Sequence, residues 1–243
     1  MRATTASLCS ILACASCAQL EPRTSASLNA SGNYLGRGVL VHDGAVLQPS
    51  VDVAVDAGAG TLTTSVWANI DASDEFDAFG STTELDLVVD WTASTGGVNA
   101  SLGGIQYLFP HSGAAPTTEL YASLQAAEAP LTPALTIYWD MIEADGLYAT
   151  FGAGHTLDLA PDWALTLGGS LGWMTSGMAG FNYGVSKDAA SDWQASANLG
   201  WSASDSLGLN LLVLHSSVLD GDLRDAVDEP DNAGVSIGAT FSF

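Results

Sequence analysis

Carboxylates recur at alternate positions along this chain. Asp52 is followed by Asp56, Glu84 by Asp86 and Asp90, Glu119 by Tyr121, and Tyr138 by Asp140. Side chains two apart on an extended strand share a face, so each set lines one side of a strand. The chain carries 27 Asp and Glu against 5 Lys and Arg, a formal net charge of −22. Acids gathered inside a narrow conduit attract cations and repel anions. The plainer alternative is an interior filled by acids paired with Arg37 and with Tyr and Asn side chains, but five basic residues cannot neutralise them all. The same balance argues against nucleic acid, which needs clustered Lys and Arg, and does not resemble the basic face of a peripheral membrane binder.

Arg37 is the most informative single residue. A hairpin turning at His42 to Ala45 would set it opposite Ser50 and diagonal to Asp52. There it acts either as a lock between the first two strands or as an arginine facing an acidic wall across a pore. Trp67 shares parity with Ser65 and Asn69 and points inward, opposite Asp52 in that register, where it fills space or stacks on a solute. Gly168-Gly169-Ser170-Leu171-Gly172 matches Gly-x-Ser-x-Gly, but that motif needs a sharp strand-to-helix turn, and here it sits in an alternating strand. His42, His111, His155 and His215 are far apart, with no partner at metal-ligand spacing. "DGDLRDAVDEPD" lacks the calcium-loop order of acids, Gly and closing Glu. The sequence therefore predicts no catalytic residue, no metal and no cofactor.

The elements that carry these residues follow from periodicity. Twelve segments alternate apolar and polar residues, near 27–41, 46–57, 61–71, 82–94, 98–109, 118–127, 132–142, 146–158, 163–175, 192–203, 206–218 and 233–243. No stretch shows a convincing helical period. Most segments suit a tilted membrane strand. Hydrophobic residues make up 47% and charged ones 13%, too little charge for a surface that faces only water. Short turns alternate with longer polar loops, as in an all-β transmembrane, antiparallel, up-and-down barrel of about twelve strands. Trp91, Trp163 and Trp201 fall near one rim, with Phe241 and Phe243. Trp139, Trp173 and Trp193 fall near the other, giving the two aromatic girdles of a membrane barrel. The last segment must pair with the first, because an open edge in lipid leaves backbone groups unpaired. Residues 1–18, which hold Cys9, Cys14 and Cys17, read as a secretory signal peptide ahead of one barrel domain over 19–243. A lipid-attachment reading through Cys14 or Cys17 fits the preceding residues poorly.

Several motifs together resemble the TorF-type porin family of Gram-negative bacteria. They are Tyr34, Arg37 and Gly38; Gln48-Pro49; Val66-Trp67-Ala68-Asn69; Glu84-Leu85-Asp86; Tyr107-Leu108-Phe109-Pro110 with Glu119-Leu120-Tyr121; Tyr138-Trp139-Asp140; and Asp192-Trp193. The similarity spans roughly residues 27 to 243, although the Trp-Ala-Asn element lacks an expected serine. The resemblance implies an outer-membrane barrel and channel. A terminal Phe243 also looks like the signal such proteins present to the barrel assembly machinery.

The expectation is an outer-membrane channel for passive diffusion of small hydrophilic solutes or ions, cation-preferring, exported through its signal peptide and embedded in outer-membrane lipid. Its pore lining would comprise Arg37, Asp52, Asp56, Trp67, Glu84, Asp86, Asp90, Glu119, Tyr138 and Asp140. The alternatives are a non-conducting structural or surface-interaction barrel with acidic outer loops and, for want of a Ser-His-Asn constellation, less readily a barrel enzyme.

Overall fold

The computed structural model describes residues 21–73 and 79–243. The expected signal segment, its three cysteines and part of the first acidic loop lie outside these residues. The chain forms β1 (Arg23–Ser31), β2 (Tyr34–Gly36), β3 (Val39–His42), β4 (Val46–Ala57), β5 (Gly60–Asp71), β6 (Thr82–Thr95) and β7 (Val98–Leu108). It continues through β8 (Thr117–Ala126), β9 (Ala134–Asp140), β10 (Gly146–Ala160), β11 (Trp163–Met174), helix α1 (Ser176–Tyr183), β12 (Ala189–Ser204), β13 (Leu207–Val218), helix α2 (Gly221–Arg224) and β14 (Asp231–Ser242). Strands β1 and β4 to β14 close into an antiparallel barrel of twelve strands, while β2 and β3 form a separate two-stranded sheet.

Closure is made by the chain's two ends. Strand β14 pairs with β1 from Ser25↔Ser242 to Ser31↔Ser236, and the Phe243 N–H donates to the Thr24 carbonyl at 2.9 Å. No strand edge of the barrel is left open, which matters because each unpaired backbone group in lipid costs several kcal/mol. The alternating sequence then sorts itself radially. Val51, Val66, Leu87, Leu102, Leu120, Ile137, Phe151, Leu171, Leu211 and Ile237 are exposed on the outer face. Their polar neighbours in sequence face the lumen and hydrogen-bond across strands, as in Ser27–Ser50 at 2.8 Å and Ser123–Thr136 at 2.8 Å.

Short connections such as 58–59, 96–97, 161–162 and 205–206 lie at one end, and loops 109–116, 175–188 and 219–230 at the other. The long-loop end holds the buried apolar cluster: Ala144, Tyr148, Met174, Met178, Ala179, Tyr183, Ala189, Val218 and Leu223. The core therefore sits in the barrel mouth. Helix α1 supplies three of its members and ends on Gly184 in the left-handed region, φ 72°. Lys187 ties this loop to α2, 3.0 Å from Asp220 and 2.6 Å from Asp222. Its hydrogen bond holds the Asp220 carboxyl below the ordinary value.

Two expectations need correction. The segment 27–41 is not one strand: β1 stops at Ser31, and residues 34–42 turn back on themselves with Arg37 and Gly38 at φ 49° and 85°. Paired positive φ values reverse a chain tightly, and hairpin arms alternate as a long strand does, so periodicity alone cannot separate them. Nor is the chain free of helix. Helix α1 has only eight residues, two of them glycine, too short for a periodic signal, and packing against the mouth stabilises it.

Candidate channel lumen

The β2–β3 hairpin leaves the wall between β1 and β4 and crosses the lumen to β8, nearly opposite in the strand order. Its tip is latched there. The Arg37 guanidinium meets Glu119 in a two-point ion pair, both contacts 2.6 Å, with Glu119 only 2% exposed. The same guanidinium lies 4.9 Å from the ring centroid of Tyr138 and 4.7 Å from that of Tyr148. Tyr107 donates to Glu119 at 2.9 Å, and Tyr183 on α1 donates to the Arg37 carbonyl at 2.8 Å. Bidentate pairing and aromatic stacking both favour arginine over lysine here. At the hairpin root, Tyr34 packs on Trp67, ring centroids 5.6 Å apart.

Arg37 thus does not pair with Asp52 or lie on the first barrel strand, as expected from a turn at His42 to Ala45. The turn comes five residues earlier and carries it to the far wall. Trp67 is inward but opposite Ser50 and Asp86, not Asp52, and it props the hairpin. Asp140 is buried, and its carboxylate accepts from the N–H groups of Ile142, Glu143 and Ala144 and from the Thr117 hydroxyl. It caps a loop, so its charge is already committed. Ser170 lies inside β11, with no elbow around it.

Gly38 is fixed by close approach. A Cβ at this position would lie 2.6 Å from the Asp192 Cβ and 2.8 Å from the Tyr183 hydroxyl, at φ 85°. Gly38→Ala is expected to undock the hairpin and to destabilise the barrel by more than ~1 kcal/mol, the size of a Gly replacement in the left-handed region. A lowered temperature for loss of the compact, heat-modifiable band on a semi-native gel checks this.

The remaining acids form a descending ladder. On β6, Glu84, Asp86 and Asp90 share the inner face, spaced over ~20 Å at ~3.3 Å per residue. Across β5, Asp52 pairs with Ser65, which pairs with Val88; Asp56 pairs with Thr61, which pairs with Thr92. Asp52 is therefore level with the gap between Asp86 and Asp90, and Asp56 comes one rung below Asp90. Ser65 bonds Asp52 at 2.5 Å, and Tyr121 and Thr92 bond Asp90 at 2.6 and 2.7 Å. Among the described residues, the basic groups are engaged elsewhere: Arg23 with Asp56, Arg37 with Glu119, Lys187 with Asp220 and Asp222, and Arg224 with Asp231. Among these residues, no lysine or arginine forms an ion pair with Glu84, Asp86, Asp52 or Asp90.

The facing wall is polar and thin. Gly152, Gly154, Gly168, Ser170 and Ser196 border a cavity of about 300 Å³. Asn29, Asn198, Gly200, Asn210 and Thr240 border one of about 900 Å³ at the short-turn end. The hairpin divides the upper lumen into two passages, about 360 Å³ beside Glu84 and Tyr107 and about 190 Å³ beside Gln48 and Leu212. Sequence reasoning missed Tyr148, Met178 and Tyr183 in this site; Asp192 was visible only within the Asp192-Trp193 motif.

Outside, Trp91, Trp163 and Trp201 stand exposed near the short-turn rim and Trp139 and Trp173 near the other. Trp163 and Trp201 stack at 5.5 Å and 7°. Trp193 is half-buried against His215, 5.0 Å away. Phe241 and Phe243 are exposed at the short-turn rim.

An apolar exterior, a closed wall and a polar lumen define a transmembrane β-barrel of the outer-membrane class. Solved structures of similar shape are outer-membrane porins and channels. The NanC porin matches with TM-score 0.56 and 11% identity, over 90% of this chain and 100% of that one. The KdgM porin gives 0.55 and 12%, over 90% and 99%. The COG4313 outer-membrane channel of Pseudomonas putida F1 gives 0.50 and 9%, over 91% and 95%. No protein-family model and no curated protein matches the chain.

Proposed function

We propose that this chain is a diffusion channel of the Gram-negative outer membrane, of TorF type, that passes small hydrophilic solutes and prefers cations. The observation that supports the reading is the ladder of Glu84, Asp86, Asp52 and Asp90, whose members form no ion pair with a lysine or arginine among the described residues. Glu84 and Asp86 are ~7 Å apart along β6, less than the ~8 Å screening length of physiological salt, and Asp52 stands level with the longer gap between Asp86 and Asp90, so the four acids mark one negative path. Arg37, held by Glu119, narrows the upper lumen and offers no free positive charge to an anion. KdgM has been solved with disordered oligogalacturonate, a polyanion; the acid ladder here suits the opposite sign.

In this reading the long loops face outward and the short turns face the periplasm. The tryptophan rows and Phe241 sit at the two lipid–water boundaries. Residues 1–18 direct export, and Phe243 engages the assembly machinery. Removing Phe243 should slow assembly severalfold, scored as folded barrel recovered in outer membranes; an undiminished yield contradicts that role. Proteoliposomes carrying the folded protein should swell in isotonic arabinose. Swelling no faster than protein-free vesicles would sink the channel reading. It would instead favour an occluded barrel, for which the latched hairpin and the apolar cluster in the mouth are the supporting observations.

A further inference from the structure

The upper passage of about 360 Å³ lies between the hairpin, helix α1 and the wall of β5 to β8, at the small end of the ~300–1,000 Å³ usual for ligand pockets. Aromatic side chains form part of its walls, Tyr34, Tyr107 and Phe109 with Phe181 of α1, and Arg37 stands beside them. Tyr107 and Phe109 lie parallel, centroids 6.4 Å apart and planes within 3°. Phe181 is 46% exposed, an unusual position for so large an apolar side chain on a loop helix that otherwise packs inward. Into this cavity projects Glu84, 8% exposed, with Tyr34 lining the same space. One rung below, Oδ1 of Asp86 is buried and accepts no hydrogen bond.

On one wall of this pocket the chain shows what such chemistry holds. Arg37 places a guanidinium against two tyrosine faces and a carboxylate, Tyr138, Tyr148 and Glu119. The pocket extends that combination of aromatic faces and carboxylate; Arg37 stands on its wall with its guanidinium taken up by Glu119, and among the described residues no lysine or arginine forms an ion pair with Glu84. A carboxylate in an apolar site favours a cationic partner, and aromatic faces attract cations whose hydration is weak. An inorganic ion would gain little from phenyl walls. A neutral or anionic solute would give Glu84 no ion-pair partner.

We infer that this pocket is a binding site for a small organic cation, an ammonium group on an apolar body, seated with its charge toward Glu84 and its body between Tyr107, Phe109 and Phe181. The inference deepens the cation-preferring reading and rests on its acidic lumen, but it does not require that the barrel conduct. Solutes of this class would dwell at the outer mouth before descending the ladder.

Calorimetric titration of the full-length barrel folded in detergent tests it, with phenethylammonium chloride as probe and 2-phenylethanol as its neutral counterpart. Phenethylammonium should bind saturably, and the alcohol about tenfold or more weaker, the loss expected when a charge-assisted hydrogen bond is removed. Glu84→Gln should weaken the ammonium about tenfold and leave the alcohol unchanged. Phe181→Ala, on an exposed side chain that the barrel does not need in order to fold, should weaken both. Asp56→Asn, at the short-turn end, should change neither. Equal affinity for the two probes, or ammonium binding indifferent to both Glu84→Gln and Phe181→Ala, would overturn the site. Binding that persists in a barrel which fails the swelling assay would uphold the site while removing the channel reading.

Discussion

Arg37→Ala is expected to be the most damaging single substitution in the barrel. Glu119 is 2% exposed and meets Arg37 through two 2.6 Å contacts. Removing one partner of a buried pair leaves the other charge uncompensated, at ~3–5 kcal/mol. The hairpin also loses its stacking on Tyr138 and Tyr148. Two readouts should move together: the unfolding midpoint in denaturant falls, and single-channel conductance rises as the hairpin leaves the lumen. The double variant Arg37→Ala with Glu119→Gln should recover much of the stability, because the stranded charge is gone, but not the narrow conductance. Restoration of both by the double variant would mean that the latch does not hold the hairpin in place.

The second large effect concerns selectivity. Neutralising the ladder together, Asp52→Asn, Glu84→Gln, Asp86→Asn and Asp90→Asn, should abolish most cation preference. Asp140 does not belong in this set, since its oxygens are taken by three backbone N–H groups and Thr117. Single neutralisations should have smaller effects, because the three remaining acids still hold the lumen negative. The check is the shift of zero-current potential in a salt gradient; a quadruple variant as selective as the parent would discard the ladder as the origin of selectivity. Asp140→Asn should leave selectivity nearly unchanged and instead loosen the 141–145 turn.

What the sequence revealed, and what it hid, divide along one physical line. Alternation is enforced by lipid on one side and water on the other, so the strands from β4 to β14 could be read from Leu85-Asp86-Leu87 or Trp201-Ser202-Ala203 with boundaries only a few residues off. Lumen-facing parity of Asp52, Glu84, Asp86, Asp90 and Glu119 followed from the same rule. The hairpin could not be read that way. Tyr34 to His42 alternates whether it runs up the wall or folds back, and only the unusual backbone of Arg37 and Gly38 distinguishes the two. Helix α1 was hidden because its eight residues are helical through contacts with the mouth. The short motifs scattered along the chain carry the missing information in another form. Tyr34, Arg37, Gly38, Trp67, Tyr107, Glu119, Tyr138 and Asp192 are scattered along the chain, yet they meet at the hairpin, its root and its latch. A short motif that is weak alone marks where distant strands must meet one inserted element.

The most direct test of the account is the zero-current potential of the folded, unmodified barrel in a planar bilayer across a tenfold potassium chloride gradient. The account gives small, stable conductance steps and a potential of the sign set by potassium crossing faster than chloride, collapsing toward zero when the four ladder acids are neutralised. A chloride-selective potential, or a barrel that stays silent even after Arg37→Ala, would contradict it.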